Sequence, residues 1–300
     1  MLLENYTEWE ILYHIFDHVD NLINTITAIN NSSQKKLFIT SNSKGGRPSG
    51  LSMQTIITFG IFRYAVGIKD IKHYHRYLIN HFPEELGHIP TYSNFNHLIN
   101  QSTPYVIFIL LIICHYNKSF AKSLYFIDSS PLKVCENKRI FHHKVCEGIA
   151  KRGKSSMGWF FGFKLHVVCD ALGRLVSIMI TPGNTDDRKF VLKLLKSLKG
   201  LCVADAGYIS KKLMEMLNKQ GLIFITDVKK SMKRLMSKTE HSLLKQRQRV
   251  EGVFSSIKHR LNAEASIARS PLGYLSRCLY ACLTFALTPH LESKLFLPQF

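Results

Sequence analysis

Hydrophobic residues recur every three or four positions over residues 2–30, which is the spacing of one face of an α-helix. Two shorter helical patterns follow at 52–66 and 70–80, and Gly67 joins them. The apolar run at 105–114 predicts a buried helix. It is about half of the roughly 20 residues that a membrane span needs, so we expect no membrane partner. The N-terminal third is therefore predicted to be all-helical.

From Ser123 onward the pattern changes to short runs rich in β-branched and aromatic residues. Helical patterns lie between the later runs, at 187–198 and 210–219. A long helical pattern covers 240–261, and another apolar helix is predicted at 271–291. The predicted strands are Leu124–Asp128, Trp159–Cys169, Leu175–Thr181, Leu201–Asp205 and Leu222–Val228. This order predicts an α/β domain that begins with hairpin-like strands.

The boundaries of these patterns predict three regions. Residues 1–120 form a helical region, residues 121–266 an α/β domain, and residues 267–300 a helical tail. A polar stretch at 35–50, rich in Ser, Gly and Lys, predicts a loop inside the first region. The helices on either side of Gly67 have the spacing of a helix-turn-helix. An ordinary helical bundle with a basic face explains the same spacing equally well. The basic and histidine residues of the second helix are Lys69, Lys72, His73, His75 and Arg76.

The charge of the chain favours a polyanionic partner. The formal net charge is +19 over 300 residues. The segment 229–260 carries ten Lys and Arg against two acids, and the segment 133–154 carries seven against two. The first 34 residues, by contrast, contain five acids and no Lys or Arg. A membrane surface would attract the same bulk charge, so the charge alone does not choose nucleic acid.

The cysteines favour a reducing compartment. There are seven, an odd number, and no Cys-x-x-Cys pair occurs among them. Cys278 and Cys282 are one helical turn apart and are predicted to be core residues. The N-terminus lacks the basic region of a secretion signal, so we expect a cytoplasmic protein. One Cys/His cluster matches no zinc-site spacing, and we expect no zinc there: Cys135, His142, His143 and Cys146.

Three carboxylates are candidates for a metal site. Asp128 and Asp205 each follow an apolar strand pattern, and Glu251 lies on the basic helical pattern at 240–261. On a helical wheel, Glu251 shares a stripe with Arg247 and Lys258, beside the apolar stripe of that helix. Carboxylate oxygens are the ligands that Mg²⁺ prefers, and two such ions can act on a phosphodiester. The residues alone leave the choice open, because four other aspartates also follow apolar runs: Asp170, Asp186, Asp187 and Asp227. Asp187 is predicted to cap a helix.

Five short segments, in this order, resemble DDE-type transposases of bacterial insertion sequences. The resemblance covers about residues 125–275, half of the chain. Each segment alone is weak, whereas five in the family's order are specific. The segments are Asp128-Ser129-Ser130-Pro131-Leu132, Gly162-Phe163-Lys164-Leu165-His166, Thr181-Pro182-Gly183-Asn184-Thr185-Asp186-Asp187, Asp205-Ala206-Gly207-Tyr208-Ile209 and Arg247-x3-Glu251-x6-Lys258.

This resemblance implies a fold, a reaction and a metal site. The implied fold is an RNase H-like mixed sheet flanked by helices. The implied reaction is metal-dependent cleavage of DNA at element ends, followed by transfer of the 3′-hydroxyl to target DNA. Asp128, Asp205 and Glu251 would be the catalytic and metal-binding triad, with two Mg²⁺ or Mn²⁺ ions. The implied partners are the terminal inverted repeats and target DNA, bound by a homo-oligomer associated with the bacterial nucleoid.

The same resemblance implies the DNA contacts. Arg247 and Lys258 would contact or orient DNA near the cleaved phosphate. Lys164 and His166 lie two residues apart on a predicted strand and so share a face, where they serve either packing or phosphate contact. Two departures put accessory DNA contacts in doubt: Leu244 replaces a tyrosine of related signatures, and Ala206 replaces a basic residue.

Two other functions compete. A PD-(D/E)xK nuclease would use Asp128 with Glu136 and Lys138, and it needs the last two on a strand beside Asp128. A transposase that has lost catalysis would be a DNA-binding repressor, insensitive to the change of Asp205 to Asn. A tyrosine recombinase is disfavoured, because the one His-x-x-Arg pair, His73 to Arg76, occurs far too early.

Overall fold

The computed structural model describes residues 7–32, 50–82, 88–228, 236–264 and 268–292. The predicted loop at 35–50 lies outside the described residues except at Gly50. The chain divides into two compact units. One unit comprises Met1–Leu110 with Leu275–Phe300, and the other comprises Leu111–Tyr274. The predicted region boundaries near residues 120 and 266 stay predictions.

The described residues contain helices at both ends and strands in the middle. The α-helices are α1 (Glu8–Ser32), α2 (Met53–Ala65), α3 (Ile71–His81), α4 (Tyr92–Gln101), α5 (Thr103–Phe120), α6 (Val191–Leu194), α7 (Lys211–Lys219), α8 (Lys238–Lys245), α9 (Gln248–Ser255) and α10 (Pro271–Glu292). The strands are β1 (Leu124–Cys135), β2 (Lys151–Ser155), β3 (Gly158–Asp170), β4 (Leu175–Pro182), β5 (Gly200–Ala204) and β6 (Leu222–Thr226). Short 3₁₀ helices occur at Asn137–His142, Asp187–Phe190 and Ala206–Tyr208, and a π-helical turn at Ser256–Arg260.

The six strands form one mixed sheet in the order β2-β3-β1-β5-β6, with β4 paired to β3. The pairs β1–β5 and β5–β6 are parallel, and the pairs among β1, β2, β3 and β4 are antiparallel. The sheet therefore begins as a set of hairpin-like strands and ends as a parallel pair, as the order of the sequence patterns predicts.

Apolar side chains cover both faces of the sheet. Ile127 of β1 and Val168 of β3 pack with residues of α6 and α7 in one buried cluster. On the opposite face, α9 packs against β1 and β3, and its buried residues are Val250, Val253 and Phe254. Coverage on both sides explains why the strands contain continuous buried apolar stretches, at 125–127, 167–169 and 202–204.

Four elements differ between the sequence predictions and the structure. The strand β2 and the helix α4 have no counterpart in the predictions. Lys151–Ser155 contains three cations and no large apolar residue, so no strand pattern marks it. Tyr92–Gln101 does carry apolar residues at helical spacing, including the buried Phe95 and Ile99, and the predictions missed this helix. The single helix predicted at 240–261 is wrong, because two α-helices and a π-helical turn occupy this segment. The predicted helix at 187–198 is mostly a 3₁₀ turn, followed by the short α6.

The two helices predicted to form a helix-turn-helix are present as α2 and α3. Gly67 between them has a φ of 73°, a left-handed conformation that favours glycine. Ser52 caps α2, and Asp70 caps α3 by accepting bonds from the backbone N–H groups of residues 72 and 73. His75 does not belong to the basic face of α3, because it is buried and its Nε2 lies 2.8 Å from the carbonyl oxygen of Pro90.

Helix α5 has the length and composition to cross a membrane. Length and composition are weak grounds, because the core helix of a globular domain meets the same test. Val106, Ile109, Leu110 and Ile113 of this helix are buried, which agrees with the predicted buried helix. All seven cysteines lie in described residues, are buried and form no disulfide.

Candidate active site on the β1 and β5 strands

Asp128 and Asp205 lie at matching positions on neighbouring parallel strands. The pairing of β1 with β5 ends with Phe126 opposite Val203. Each aspartate follows two residues later, so the register of the pairing brings the two carboxylates side by side. The prediction that both residues end their strands is right for Asp205 and wrong for Asp128. Beyond Asp128, β1 continues to Cys135 because β3 still pairs with it.

The guanidinium of Arg247 lies between the two carboxylates. Its Nη2 donates to Oδ2 of Asp128 at 3.2 Å, and its Nη1 donates to Oδ1 of Asp205 at 3.4 Å. Backbone N–H groups also hold the carboxylates, from Ser129 to Asp128 and from Ala206 to Asp205. The Nε of Arg247 is buried and has no hydrogen-bond partner. Two carboxylates therefore converge on one cationic group.

Burial changes the acidity of this pair. Burial raises the pKa of Asp128 to about 6, although the Ser129 N–H and the Arg247 guanidinium act in the opposite direction. The side chain of Asp128 is 21% exposed, whereas that of Asp205 is 52% exposed. The negative charge of Asp205 raises the pKa of Asp128 further. A bound cation would therefore favour the ionised form of Asp128.

Glu251 does not join this pair. It is exposed, and it follows Arg247 by one helical turn. Among the described residues, the ion pairs of Arg247 are with Asp128 and Asp205, and Glu251 forms none with it. In the described part of the chain, no three His, Cys, Asp or Glu side chains are close enough to hold a metal ion together.

A tight turn between α8 and α9 positions Arg247. The N–H of Arg247 bonds to the carbonyl of Leu244, and the N–H of Val250 bonds to the carbonyl of Arg247. Both bonds span three residues rather than the four of an α-helix. The turn therefore interrupts the helix at Arg247. The helical wheel drawn for one straight helix over 240–261 does not include this interruption.

Lys258 lies in the π-helical turn that follows α9. Its Nζ donates to Oγ of Ser130 at 3.1 Å and pairs with Oε1 of Glu264 at 3.0 Å. Ser130 is two residues after Asp128 on β1, so Lys258 lies on the Asp128 face of the sheet. Sequence reasoning missed Glu264, because it follows the π-helical turn and no spacing connects it to the other acids.

Lys164 and His166 project from the opposite face, within a separate polar cluster. Nζ of Lys164 donates to Oδ1 of Asp187 at 2.9 Å and to the carbonyl of Thr185 at the same distance. His166 is completely buried, and its Nε2 lies 2.8 Å from Oγ1 of Thr181. Burial lowers the pKa of His166 to about 4, so its imidazole is neutral at pH 7. The structure brings these two residues to each other and not to the Asp128–Asp205 pair.

The other four aspartates have structural contacts of their own. Asp170 is buried and holds Arg174 at 2.6 Å in the β3–β4 turn. Asp186 caps the 3₁₀ helix at Asp187–Phe190, so the prediction that Asp187 is the cap is wrong. Asp227 follows β6 and bonds to the backbone N–H of Val228. The sequence leaves open which of the six aspartates belong to the metal site. The structure favours Asp128 and Asp205, because Arg247 forms ion pairs only with these two among the described acids.

The family comparison agrees with this geometry. Residues 118–271, just over half of the chain, match the family described as transposase DDE domain. The chain belongs to the transposase DDE domain family. The matched residues include Asp128, Asp205, Arg247, Glu251 and Lys258. The resemblance to DDE-type transposases is thereby confirmed, and the protein is a transposase by family.

A solved structure gives the fold. The transposase resembles the cryo-EM structure of piggyBac transposase synaptic complex with hairpin DNA, with a TM-score of 0.50 and 10% sequence identity. The match covers 97% of this chain and 76% of that one. At this identity the likeness shows the fold alone, and it confirms the predicted RNase H-like mixed sheet with an N-terminal helical region. No curated protein sequence matches the chain.

DDE transposases normally use divalent metal ions. The carboxylates of this site are of the kind that binds such an ion. Asp128 and Asp205 supply hard oxygen donors that already surround a cation, the guanidinium of Arg247. These two residues therefore fit a divalent ion. Glu251 of α9 is a third carboxylate within the matched residues, and it does not join Asp128 and Asp205 in this structure.

The positions of Glu136 and Lys138 exclude the PD-(D/E)xK nuclease arrangement. That function needs Glu136 and Lys138 on a strand beside Asp128. Glu136 instead precedes the 3₁₀ helix at Asn137–His142, and Lys138 lies within it. Both residues follow the end of β1, so neither lies on a strand next to Asp128.

Proposed function

We propose that this transposase cleaves DNA at the ends of its element and joins the freed 3′-hydroxyl to target DNA. The observation that carries the proposal is the convergence of Asp128 and Asp205 on a single cationic group, on adjacent parallel strands of an RNase H-like sheet. Membership of the DDE family supports a reaction of the polynucleotidyl transferase type.

In this proposal the carboxylates bind the metal ions and the cations bind the DNA phosphates. Asp128 and Asp205 would hold the divalent ions, and Glu251 would complete their shell from the adjoining face of α9. Arg247 and Lys258 would hold the phosphate and its neighbour, since each is a cation beside the Asp128 strand. Bound Mg²⁺ or Mn²⁺ would supply the charge that activates an attacking hydroxyl and stabilises a leaving oxygen.

The proposed partner is double-stranded DNA, at the terminal repeats and at the target. A formal charge of +19 favours a polyanion. The similar piggyBac transposase forms a synaptic complex with hairpin DNA, which supports DNA as the partner of this chain. A homo-oligomer is the proposed acting form. The helical region with α2 and α3 would recognise the repeats, and the protein would act at the bacterial nucleoid in the cytoplasm.

The experiment is an excision and insertion assay. A donor plasmid carries the coding sequence with its native flanking DNA, so that the element ends need not be known beforehand. Long-read sequencing of the products maps new junctions in a target plasmid. We expect wild type to give junctions at fixed flanking positions, and Asp205→Asn and Glu251→Gln to give none.

A matched control is Asp227→Asn, which removes an acid after the neighbouring parallel strand β6. It should retain excision within about threefold, since surface substitutions outside a site are usually near neutral. Junctions that persist in Asp205→Asn would refute the assignment of the pair. Binding of flanking DNA without any junctions in wild type would instead indicate the repressor.

A further inference from the structure

The β2–β3 hairpin presents a basic and aromatic surface. β2 forms the edge of the sheet, and its turn to β3 passes through Ser156 and Met157, both exposed. Oγ of Ser155 donates to the carbonyl of Gly158 and accepts from the N–H of Met157, which fastens the turn. Gly158 has a φ of 107°, a left-handed conformation that favours glycine. The hairpin is thus a well-defined projection.

Trp159 is the centre of this surface. It is 52% exposed, which is unusual for so large an apolar side chain. Lys154 is its direct cross-strand partner. The Lys154 Nζ lies 5.7 Å from the centroid of the Trp159 ring, and the Arg152 Cζ lies 5.0 Å from it. An exposed indole between two exposed cations forms what we call the hairpin face: Arg152, Lys154, Met157 and Trp159.

The chain next to this face is also basic. The 3₁₀ helix at Asn137–His142 packs on β3, and Nδ2 of Asn137 donates to the carbonyl of Trp159 at 2.7 Å. Lys138 and Arg139 of this turn are exposed, and Phe141 is 93% exposed. In the described residues, no carboxylate forms an ion pair with any of these cations. Their charges are therefore free for an external anion.

The hairpin face lies at a fixed distance from the candidate active site. Val167 pairs with Asp128, and Trp159 precedes it by eight residues on β3. Eight residues of strand span roughly 26 Å, about the length of seven or eight stacked base pairs. An even separation also places Trp159 and Val167 on the same side of β3. A DNA strand that ends at Asp128 can thus reach Trp159.

We propose that the hairpin face is a contact for single-stranded or locally unpaired DNA. Lys154 and Arg152 bind successive phosphates, and the indole of Trp159 stacks on an unpaired base. Stacking on an aromatic ring tolerates any base, and cations beside it add the electrostatic attraction that single strands need. This inference rests on the proposed function, because it names where DNA lies relative to the Asp128–Asp205 pair.

The chain contains two tryptophans, which makes the test direct. In Trp9→Phe, Trp159 is the single indole and reports on the hairpin face alone. The variant is titrated, without metal, with a thymidine oligonucleotide and with the duplex that it forms with its complement. We expect the single strand to quench the Trp159 emission by about half or more, as stacked bases do, and the duplex to quench it at least about threefold less.

Two further variants in the same background test the cations. Arg152→Gln and Lys154→Gln should each lower the salt slope of single-strand binding by about 0.7, the contribution of one phosphate contact. Lys196→Gln removes an exposed lysine elsewhere on the same unit and should leave the slope unchanged.

The outcomes separate this inference from the proposed function. If a labelled oligonucleotide binds while the Trp159 emission stays constant, the hairpin face is not the contact. Equal quenching by the duplex overturns the stacking on an unpaired base. If the protein forms junctions but single-stranded DNA does not quench the Trp159 emission, this inference alone is refuted. If the emission is quenched but no junctions form, the proposed function alone is refuted.

Discussion

At the scale of single residues, the chemistry of the site follows from one cation between two carboxylates. Arg247 offsets the repulsion between Asp128 and Asp205, which would otherwise oppose their close approach. A divalent ion would do the same with stronger, shorter bonds to oxygen. The guanidinium and the metal therefore compete for the same carboxylate oxygens.

This competition predicts the effect of Arg247→Gln. In the absence of DNA, the variant should bind Mn²⁺ about tenfold more tightly than wild type, because the ion no longer displaces a bound guanidinium. Isothermal titration calorimetry measures the affinity. Arg249→Gln, which removes an exposed arginine from the same helix, is the control and should bind Mn²⁺ as wild type does. Weaker binding by Arg247→Gln would show that the guanidinium organises the site rather than competing for it.

The acidity of Asp128 predicts a dependence of stability on pH. Its pKa is about 6 in the folded protein, above the value of about 4 for an unfolded aspartate. The neutral carboxyl therefore stabilises the fold below pH 4, and this contribution is lost as the pH rises through 6. Asp128→Asn stays neutral, so without metal it should melt a few degrees higher than wild type at pH 8, by about 2–5 °C.

The same advantage should disappear at about pH 3 and below, where Asp128 is protonated in both the folded and the unfolded state. Differential scanning calorimetry across this range makes the measurement, and Asp227→Asn serves as the control. A lower melting temperature for Asp128→Asn at pH 8 would mean that its bond to Arg247 outweighs the cost of burying its charge.

At the scale of elements, three irregularities shape the site: a β-bulge, a tight turn before α9 and a wider π-helical turn after it. β1 shifts register between Lys133 and Cys135, opposite Gly162 of β3. The turn before α9 directs Arg247 to both strands, and the π-helical turn after it directs Lys258 to Ser130. Bulges and π-helical turns of this kind are frequent at functional sites, because they re-aim a side chain at little cost to the rest of the element.

The bulge predicts that Gly162→Ala destabilises the sheet. Gly162 has a φ of 156°, and an added Cβ would lie 2.1 Å from the carbonyl oxygen of Leu132. Backbone atoms cannot yield as a flexible side chain does, so we expect a loss of about 2 kcal/mol or more in the free energy of unfolding. Urea denaturation gives the value. Gly252→Ala in α9 has open space around the added Cβ and should gain about 0.5–1 kcal/mol. Similar values for the two variants would refute the steric argument.

At the scale of the whole molecule, charge governs the encounter with DNA. A formal charge of +19 on 300 residues predicts affinity that rests on phosphate contacts. If the protein contacts six to ten phosphates, raising the salt concentration from about 50 to about 200 mM should weaken its binding to DNA by about 10³-fold or more. Fluorescence anisotropy with flanking DNA measures the slope. Asp205→Asn should keep this slope while losing strand transfer, and a salt-independent affinity would contradict the electrostatic account.

The sequence by itself determined the class of the protein and most of its elements. Apolar runs specify strands wherever both faces are covered, and the five motifs that carry the family resemblance are local in the chain. Asp128 and Asp205 could be named as candidates from such local signals. The bounds of β1 could not, because β1 extends past Asp128 only where β3 lies beside it.

Only the tertiary structure decided which carboxylates meet. Six aspartates follow apolar runs in the chain, and the β1–β5 register with Arg247 selects two of them. Glu264 and Asp187 became visible as partners of Lys258 and Lys164 only through contacts between distant segments. The periodicity of apolar residues predicts which face of one helix or strand is buried. Which two carboxylates approach each other depends on how distant strands pair, and no local sequence pattern specifies that pairing.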